Sequence, residues 1–289
     1  MKNIRILILL FCVVASPSAF PQGSLTPPGP PTPTMKSLAQ IEPRTPISSV
    51  PFYINTSGSY YLTTNLTGGP YFDGISVYVN DISIDLNGFT LKGVANSFSG
   101  IYIPSSNPCT NLHVRNGIIE GWGSNGVEAT NVFNGQFEKL TLSQNLLDGL
   151  MAGTSCQVKD CVAQGNGRNG IVAVGYSSIT DCIATKNYEI GIQVTYSCRV
   201  VGNQARGNGH LVGGFPLPPI YFGSGVHAVG DLNRLEDNNA DRVSWNGVGN
   251  VVVRNFASQY SSAANNMVGP IIGSTTIATN TSPHANYQY

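Results

Sequence analysis

The chain has 289 residues, and its 15 Lys and Arg are balanced by 15 Asp and Glu. Charged residues make up 10% of it, where roughly 25% is usual. That balance excludes a phosphate-tracking, nucleic-acid-binding surface, and the 41% hydrophobic content excludes a disordered chain.

The first residues, "MKNIRILILLFCVVASPSAF", put Lys2 and Arg5 before an apolar run from Ile6 to Val14, then small residues. This is the order of a secretory signal peptide over residues 1–20, with a run too short for a stable membrane anchor. Cleavage is expected beside Val13 and Ala15 or within residues 16–19. Cys12 follows the bulky Phe11, where a lipidated signal has a small residue, so secretion is expected rather than lipid attachment. No later segment is long and apolar enough to span a bilayer. Beyond Cys12 there are Cys109, Cys156, Cys161, Cys182 and Cys198, an odd set that leaves at least one unpaired. No CxxC or Cys/His spacing marks a metal site.

Residues 21–34, "PQGSLTPPGPPTPT", form an extended proline-rich leader. A short helix capped by Thr34 and stopped by Pro43 follows, so residues 21–48 read as leader and cap. From residue 52, β-branched and aromatic residues alternate with turn residues, as in "GISVYVNDISIDLNGFTLKG".

Gly followed by an aliphatic residue then recurs at Gly74, Gly100, Gly126, Gly149, Gly170, Gly191, Gly225 and Gly247, at intervals of 26, 26, 23, 21, 21, 34 and 22. Leucine-rich repeats would need regular leucines and a helical arm. A period of about 21 instead accommodates three short strands and three turns, one coil of a parallel β-helix. The residue after each glycine is aliphatic: Ile75, Ile101, Val127, Leu150, Ile171, Ile192, Val226 and Val248. Two further on stand Val77, Ile103, Ala129, Ala152, Ala173, Val194 and Ala228. Between them the type is mixed: Ser76, Tyr102, Glu128, Met151, Val172, Gln193, His227 and Gly249. Side chains alternate along a strand, so the aliphatic columns face inward and the mixed column outward. Val114, Phe137, Val158, Ile179, Val200 and Leu235 form an inward column on a second strand.

Cys161 and Cys182 share a column with Leu140, Asn203 and Asn238, and Cys156 and Cys198 share one with Ser177. Coils about 4.8 Å apart bring Cys161 and Cys182 within disulfide distance, but their parallel side chains argue for small buried hydrophobes. Asn203 and Asn238 are expected to stack their amides. Asn87, Asn116, Lys139, Asp160, Asp181, Gly202, Asp237 and Asn255 recur at one turn, and Asn125, Asp148, Asn169 and Asn246 just before the glycine. The expected architecture is an all-β, single-stranded, right-handed parallel β-helix of about eight or nine coils over residues 49–269. Residues 270–289 would cap its open end, so their deletion is expected to cause aggregation. A truncation that stays soluble and monomeric on size exclusion would refute that cap.

"ISIDLNGFTLKG" resembles the first full coil of right-handed β-helix repeat proteins of the pectin-lyase-like superfamily. The ends, "PPGPPTPTMKSLAQIEPRTPI" and "NNMVGPIIGSTTIATNTSPHANY", are similar to those of a family of exported bacterial β-helix proteins without an established reaction. The resemblance spans nearly all of the mature chain and implies fold and export. For function it implies a groove beside the first strand, where such proteins often bind polysaccharide.

Glu128 is the only carboxylate in the outward column there, between Tyr102 and Met151. Two-carboxylate glycoside hydrolysis needs acids about 5–9.5 Å apart, and Asp148 is the nearest alternative partner. With Arg168 just before Gly170, Glu128, Asp148 and Arg168 form the catalytic candidate set for a lyase-type or hydrolase-type reaction. The "NTD…DD…HG" pattern of polygalacturonases and the "DPH" of alginate epimerases are absent. Asp160 and Asp181 stack one coil apart as a Ca²⁺ candidate pair, but a solvated turn ladder is the preferred reading of them; no other cofactor is implied. The insertion "GNGHLVGGFPLPPIYFGSG" precedes His227 and offers Phe215, Tyr221 and Phe222 as a sugar-stacking rim, with Tyr102, Gln193 and His227 as further contacts. The expected protein is a secreted monomer that binds a polysaccharide or cell-envelope glycan. A non-catalytic adhesin or spacer is one alternative, and a polysaccharide lyase or hydrolase of pectin-lyase-like type is the other.

Overall fold

The computed structural model describes residues 43–212, 220–222, 224–261, 263–272 and 282–289. The expected signal peptide, leader and cap helix lie outside the described residues. Every regular element among the described residues is a β-strand. A regular coil contributes three, as in Ile171–Ala173, Ser178–Thr180 and Ile183–Thr185, while Leu112–Glu120 and Gln136–Ser143 each run unbroken through two of these positions. The strands of the coils pair in parallel with their counterparts on the next coil: Ile171 with Ile192, Ile179 with Val200, Ala184 with Ala205. Short β-branched runs broken by tight turns fit this layout, since so short a strand needs only one inward side chain in the middle or two at its ends. The result is a right-handed parallel β-helix with three columns of strands around one core.

The inward columns are as expected. Ile75, Ile101, Val127, Leu150, Ile171, Ile192 and Val226 are fully buried, as are Val114, Phe137, Val158, Ile179, Val200 and Leu235. A third column, Leu91, Ile119, Leu142, Ala163, Ala184 and Ala205, completes the interior. Burial of each large aliphatic side chain contributes about 1.5–3 kcal/mol. Along the third column the side chains shrink from leucine and isoleucine to alanine.

The recurrent glycine has a steric cause. A Cβ at Gly74, Gly100, Gly126, Gly149, Gly170 or Gly191 would lie 2.5–2.7 Å from the carbonyl oxygen of the glycine one coil on. From Gly126 to Gly191 it would also meet an asparagine amide nitrogen of that coil at 2.6–2.8 Å. Those asparagines form a ladder at the corner that leads into the first strand. Asn145, Asn166, Asn187 and Asn208 stack so that each amide Nδ2 donates to the next Oδ1 at 2.9–3.0 Å. A second ladder runs Cys161, Cys182, Asn203, Asn238, Asn255, Asn286, and a third Cys156, Ser177, Cys198, Asn233, Asn250, Asn266. In each, side-chain oxygens accept backbone N–H groups that the turns would otherwise leave unpaired inside the molecule. The cysteines fill the same corners as free, buried thiols with sulfur near turn carbonyls. Burial pushes the Cys109 and Cys156 thiols up to about 11, so both are protonated at neutral pH.

The last coils depart from the sequence-based columns. The strand that follows Val226–Ala228 is Val243–Trp245, not the segment after Gly247. Gly247 and Gly249 instead adopt positive φ in a turn, Val248 is exposed, and Asn246 leaves the column before the glycine. The coil there is shorter than those before it, with Leu235 paired to Val252 and Ala240 to Ala257, so extrapolating the earlier period overshoots it. Likewise Arg254, not Asn255, takes the left-handed turn position shared by Asn87, Asn116, Lys139, Asp160, Asp181 and Asp237, while Asn255 is a ladder rung. The long sixth repeat carries an antiparallel hairpin, His210–Val212 with Ile220–Phe222. Pairing also extends beyond residues 49–269. Thr45–Ile47 pairs with the strand at Tyr60–Leu62, and Asn286–Gln288 pairs with the Phe256 and Ile271 strands.

Replacing Asn187 by Ala would strip partners from the buried Ala163 carbonyl and the Asn166 amide. The expected cost in urea unfolding is about 3 kcal/mol. A cost below about 0.5 kcal/mol would show that the ladder does not hold the corner.

Candidate functional site

The outward face of the first strand column holds an open cleft of about 590 Å³. It lies over the coils that begin at Gly74, Gly100 and Gly126 and is lined by Asp73, Phe98, Ser99, Tyr102, Ser105, Ser124, Glu128 and Asn131. Tyr102 and Glu128 are side by side because Val127–Glu128 pairs in register with Ile101–Tyr102. The walls come from the corners on either side. On one, Phe98 donates its backbone N–H to Phe72 O at 2.9 Å, which places two exposed phenyl rings on consecutive coils. On the other, Asn131 reaches the Ile103 carbonyl at 3.3 Å.

The two carboxylates of the cleft are held differently. Glu128 Oε1 accepts from Thr130 Oγ1 at 2.6 Å, and Oε2 accepts from the Asn125 amide, so its orientation is set from its own strand and corner. Asp73 Oδ1 accepts the Ser99 backbone N–H at 2.9 Å. Burial pushes the Asp73 carboxyl above its ordinary value, against the pull of that one hydrogen bond.

The other catalytic candidates do not join the cleft. Asp148 is fully buried and acts as a corner rung: Oδ1 accepts from the Asn169 backbone N–H and side-chain amide, both at 2.9 Å. Its other oxygen pairs with Arg168 Nη1 at 3.3 Å. Neither Asp148 nor Arg168 lines the cleft, and Asn125, bonded to both Glu128 and the Asp148 amide, stands between. The acid that shares the cleft with Glu128 is therefore Asp73, which sequence reasoning missed. Its signal was its place directly before Gly74, in the same column as Asn125, Asp148 and Asn169.

Gln193 and His227 face outward further along the first column, paired in register. His227 is half-buried rather than exposed; its Nδ1 lies 2.7 Å from Ser244 Oγ. Burial holds its pKa below the ordinary histidine value. Phe215 lies outside the described residues, and Tyr221 and Phe222 are on the hairpin strand Ile220–Phe222. Asp160 and Asp181 occupy successive left-handed turn positions. Among the described residues, no three His, Cys, Asp or Glu side chains converge on one point, and no helix is long and apolar enough to cross a membrane.

Coils stacked in register, with a cleft on the outer face of one strand column, define a right-handed parallel β-helix protein. The chain belongs to the family described as right handed beta helix region, which matches residues 52–209. No curated protein sequence matches it. Among solved structures it is similar to ORF18 of Geobacillus virus E2, at 12% identity and a TM-score of 0.59, over 81% of this chain and 50% of that one. This chain thus spans half the length of that protein. It is also similar to the A-module of the Azotobacter vinelandii mannuronan C-5 epimerase AlgE4, at 12% identity and TM-score 0.51 over 85% of each chain. The Dettilon tailspike protein gp208 aligns at 10% identity and TM-score 0.50, over 85% of this chain and 61% of that one. At these identities the likeness is one of fold.

Arg168→Ala would leave the buried Asp148 carboxylate without its charge partner. Because Arg168 is half-exposed, a loss of about 1–2 kcal/mol is expected in urea unfolding, less than for a fully buried pair. Adding Asp148→Asn should recover most of it, since Asn keeps the rung. Equal losses in the single and double variants would contradict the structural role of the pair.

Proposed function

We propose that the protein is an exported β-helix that binds a polysaccharide along the first-column cleft. The observation that carries this reading is the cleft itself, where Tyr102 and the exposed Phe98 stand beside two carboxylates and a set of hydroxyl and amide groups. Aromatic faces stack on the apolar faces of sugar rings, while carboxylates and amides take up ring hydroxyls. The long axis of the solenoid suits an extended polymer. The fold is shared with proteins whose names include a mannuronan epimerase and a tailspike, and the signal-like N-terminus supports export.

A catalytic reading of lyase type has less support, because the guanidinium expected to neutralise a uronate, Arg168, is engaged with Asp148. The adhesin or spacer alternative would need no cleft.

Native affinity electrophoresis through gels cast with individual polysaccharides tests the proposal. Retention on at least one polymer is expected, weakened about fivefold or more in Tyr102→Ala and Phe98→Ala, the loss of one aromatic contact of about 1 kcal/mol, with melting temperatures unchanged. Free migration through every polymer would reject the binding reading and favour the spacer.

A further inference from the structure

The corner column before the glycines repeats one structural task. Asn125 Oδ1 accepts the Asp148 N–H, Asp148 Oδ1 accepts the Asn169 N–H, and Asn169 Oδ1 accepts the Ile190 N–H, each one coil on. Asp73 does the same for Ser99. Two of these four positions do the task with a neutral amide, so the ladder does not require a charge. Where the charge is present at Asp148, its spare oxygen is matched by Arg168. At Asp73 the spare oxygen, Oδ2, has no partner among the described residues, and the side chain opens into the cleft. A carboxylate kept partly buried without a cation, in a position where Asn would fold equally well, points outward to a ligand.

The rest of the lining says which ligand. Asp73 and Glu128 are its titratable acids, Tyr102 is its only other ionisable group, and no Lys, Arg or His is among the lining residues. A polyuronate would bring a negative charge at every sugar against two fixed carboxylates, in a cleft whose walls partly exclude water. Hydroxyl or ammonium donors would instead complete Asp73 Oδ2 and share Glu128.

We infer that the cleft takes a glycan without carboxylates, an uncharged or amino sugar polymer, and that Asp73 is one of its direct ligand contacts. This inference rests on the binding reading above and adds its charge class.

The test runs wild type, Asp73→Asn and Glu128→Gln through gels containing galactomannan, mixed-linkage β-glucan, chitosan, polygalacturonate or alginate, each with and without Ca²⁺. Retention is expected on an uncharged polymer or on chitosan, with the two arms separating hydroxyl from ammonium recognition, and not on the uronates. Asp73→Asn should weaken that retention roughly tenfold, as for loss of a hydrogen bond to a charged group. Its melting temperature should equal or exceed that of wild type at neutral pH. The sign follows from burial: a carboxyl whose pKa is raised on folding costs stability once ionised, and the amide removes that cost while still accepting from Ser99. Uronate retention, with or without Ca²⁺, would overturn the charge class while leaving the binding reading intact. Failure on every polymer would overturn both. An Asp73→Asn protein that binds normally, or that is clearly destabilised at neutral pH, would show Asp73 to be a rung and nothing more.

Discussion

The constraint on which the molecule depends is that each residue's neighbour along the axis is its own counterpart one coil away. Strands satisfy this without difficulty, because parallel pairing uses every backbone group. Corners do not, and a turn that bends the chain inside a stack leaves N–H groups facing the next coil. The three side-chain ladders meet this need by presenting an oxygen to the coil below. An asparagine can also donate to a carbonyl of the preceding coil, as Asn187 does to Ala163. Glycine in the adjoining column follows from the same closeness, since a Cβ would strike both the next glycine's carbonyl and the asparagine amide.

The same constraint accounts for where a site can arise. The regular coils that begin at Gly149 and Gly170 repeat at 21 residues and leave little spare chain. The first coils are longer: Gly74, Gly100, Gly126 and Gly149 are spaced more widely than Gly149, Gly170 and Gly191. The added residues build the walls that carry Phe98, Ser105 and Asn131 around Tyr102 and Glu128. Trp122 marks the junction between the two regimes. It takes the corner position held further on by Asn145, donates from its indole to Leu91 O, and fills the space left by Gly68, Gly74 and Gly100. The cleft thus lies over the coils that are longer than the regular ones.

That division governs what the amino-acid sequence reveals. The strand columns are legible because inward positions are filled by one residue class at a fixed interval, and Ile171 and Ile192 could be aligned by eye. The cysteine and Asn203 column is legible for the same reason. The period misleads at Val243, where the coil shortens and the strand begins without its glycine. The Asn145–Asn208 ladder was readable in principle from its constant spacing, but asparagine is also the ordinary residue of turns, which hid its burial. Tyr102 and Glu128 could be placed on the outward face from alternation, and the resemblance put a groove there. Asp73 is hidden among structural column-mates, and what sets it apart from the paired, fully buried Asp148 is its place in the cleft and an Oδ2 with no partner among the described residues. The pairing of Arg168 with Asp148 was also out of reach, since a charge just before a glycine gives no sign of which way it turns.

The most direct measurement of the account is hydrogen–deuterium exchange of the protein alone and saturated with the polysaccharide that retains it best. The account predicts new protection in segments 71–78, 98–107 and 124–131, with the coils from Leu150 to Arg206 unchanged. Protection confined to the 210–222 hairpin, or spread over the second and third strand columns, would place the glycan elsewhere and contradict it.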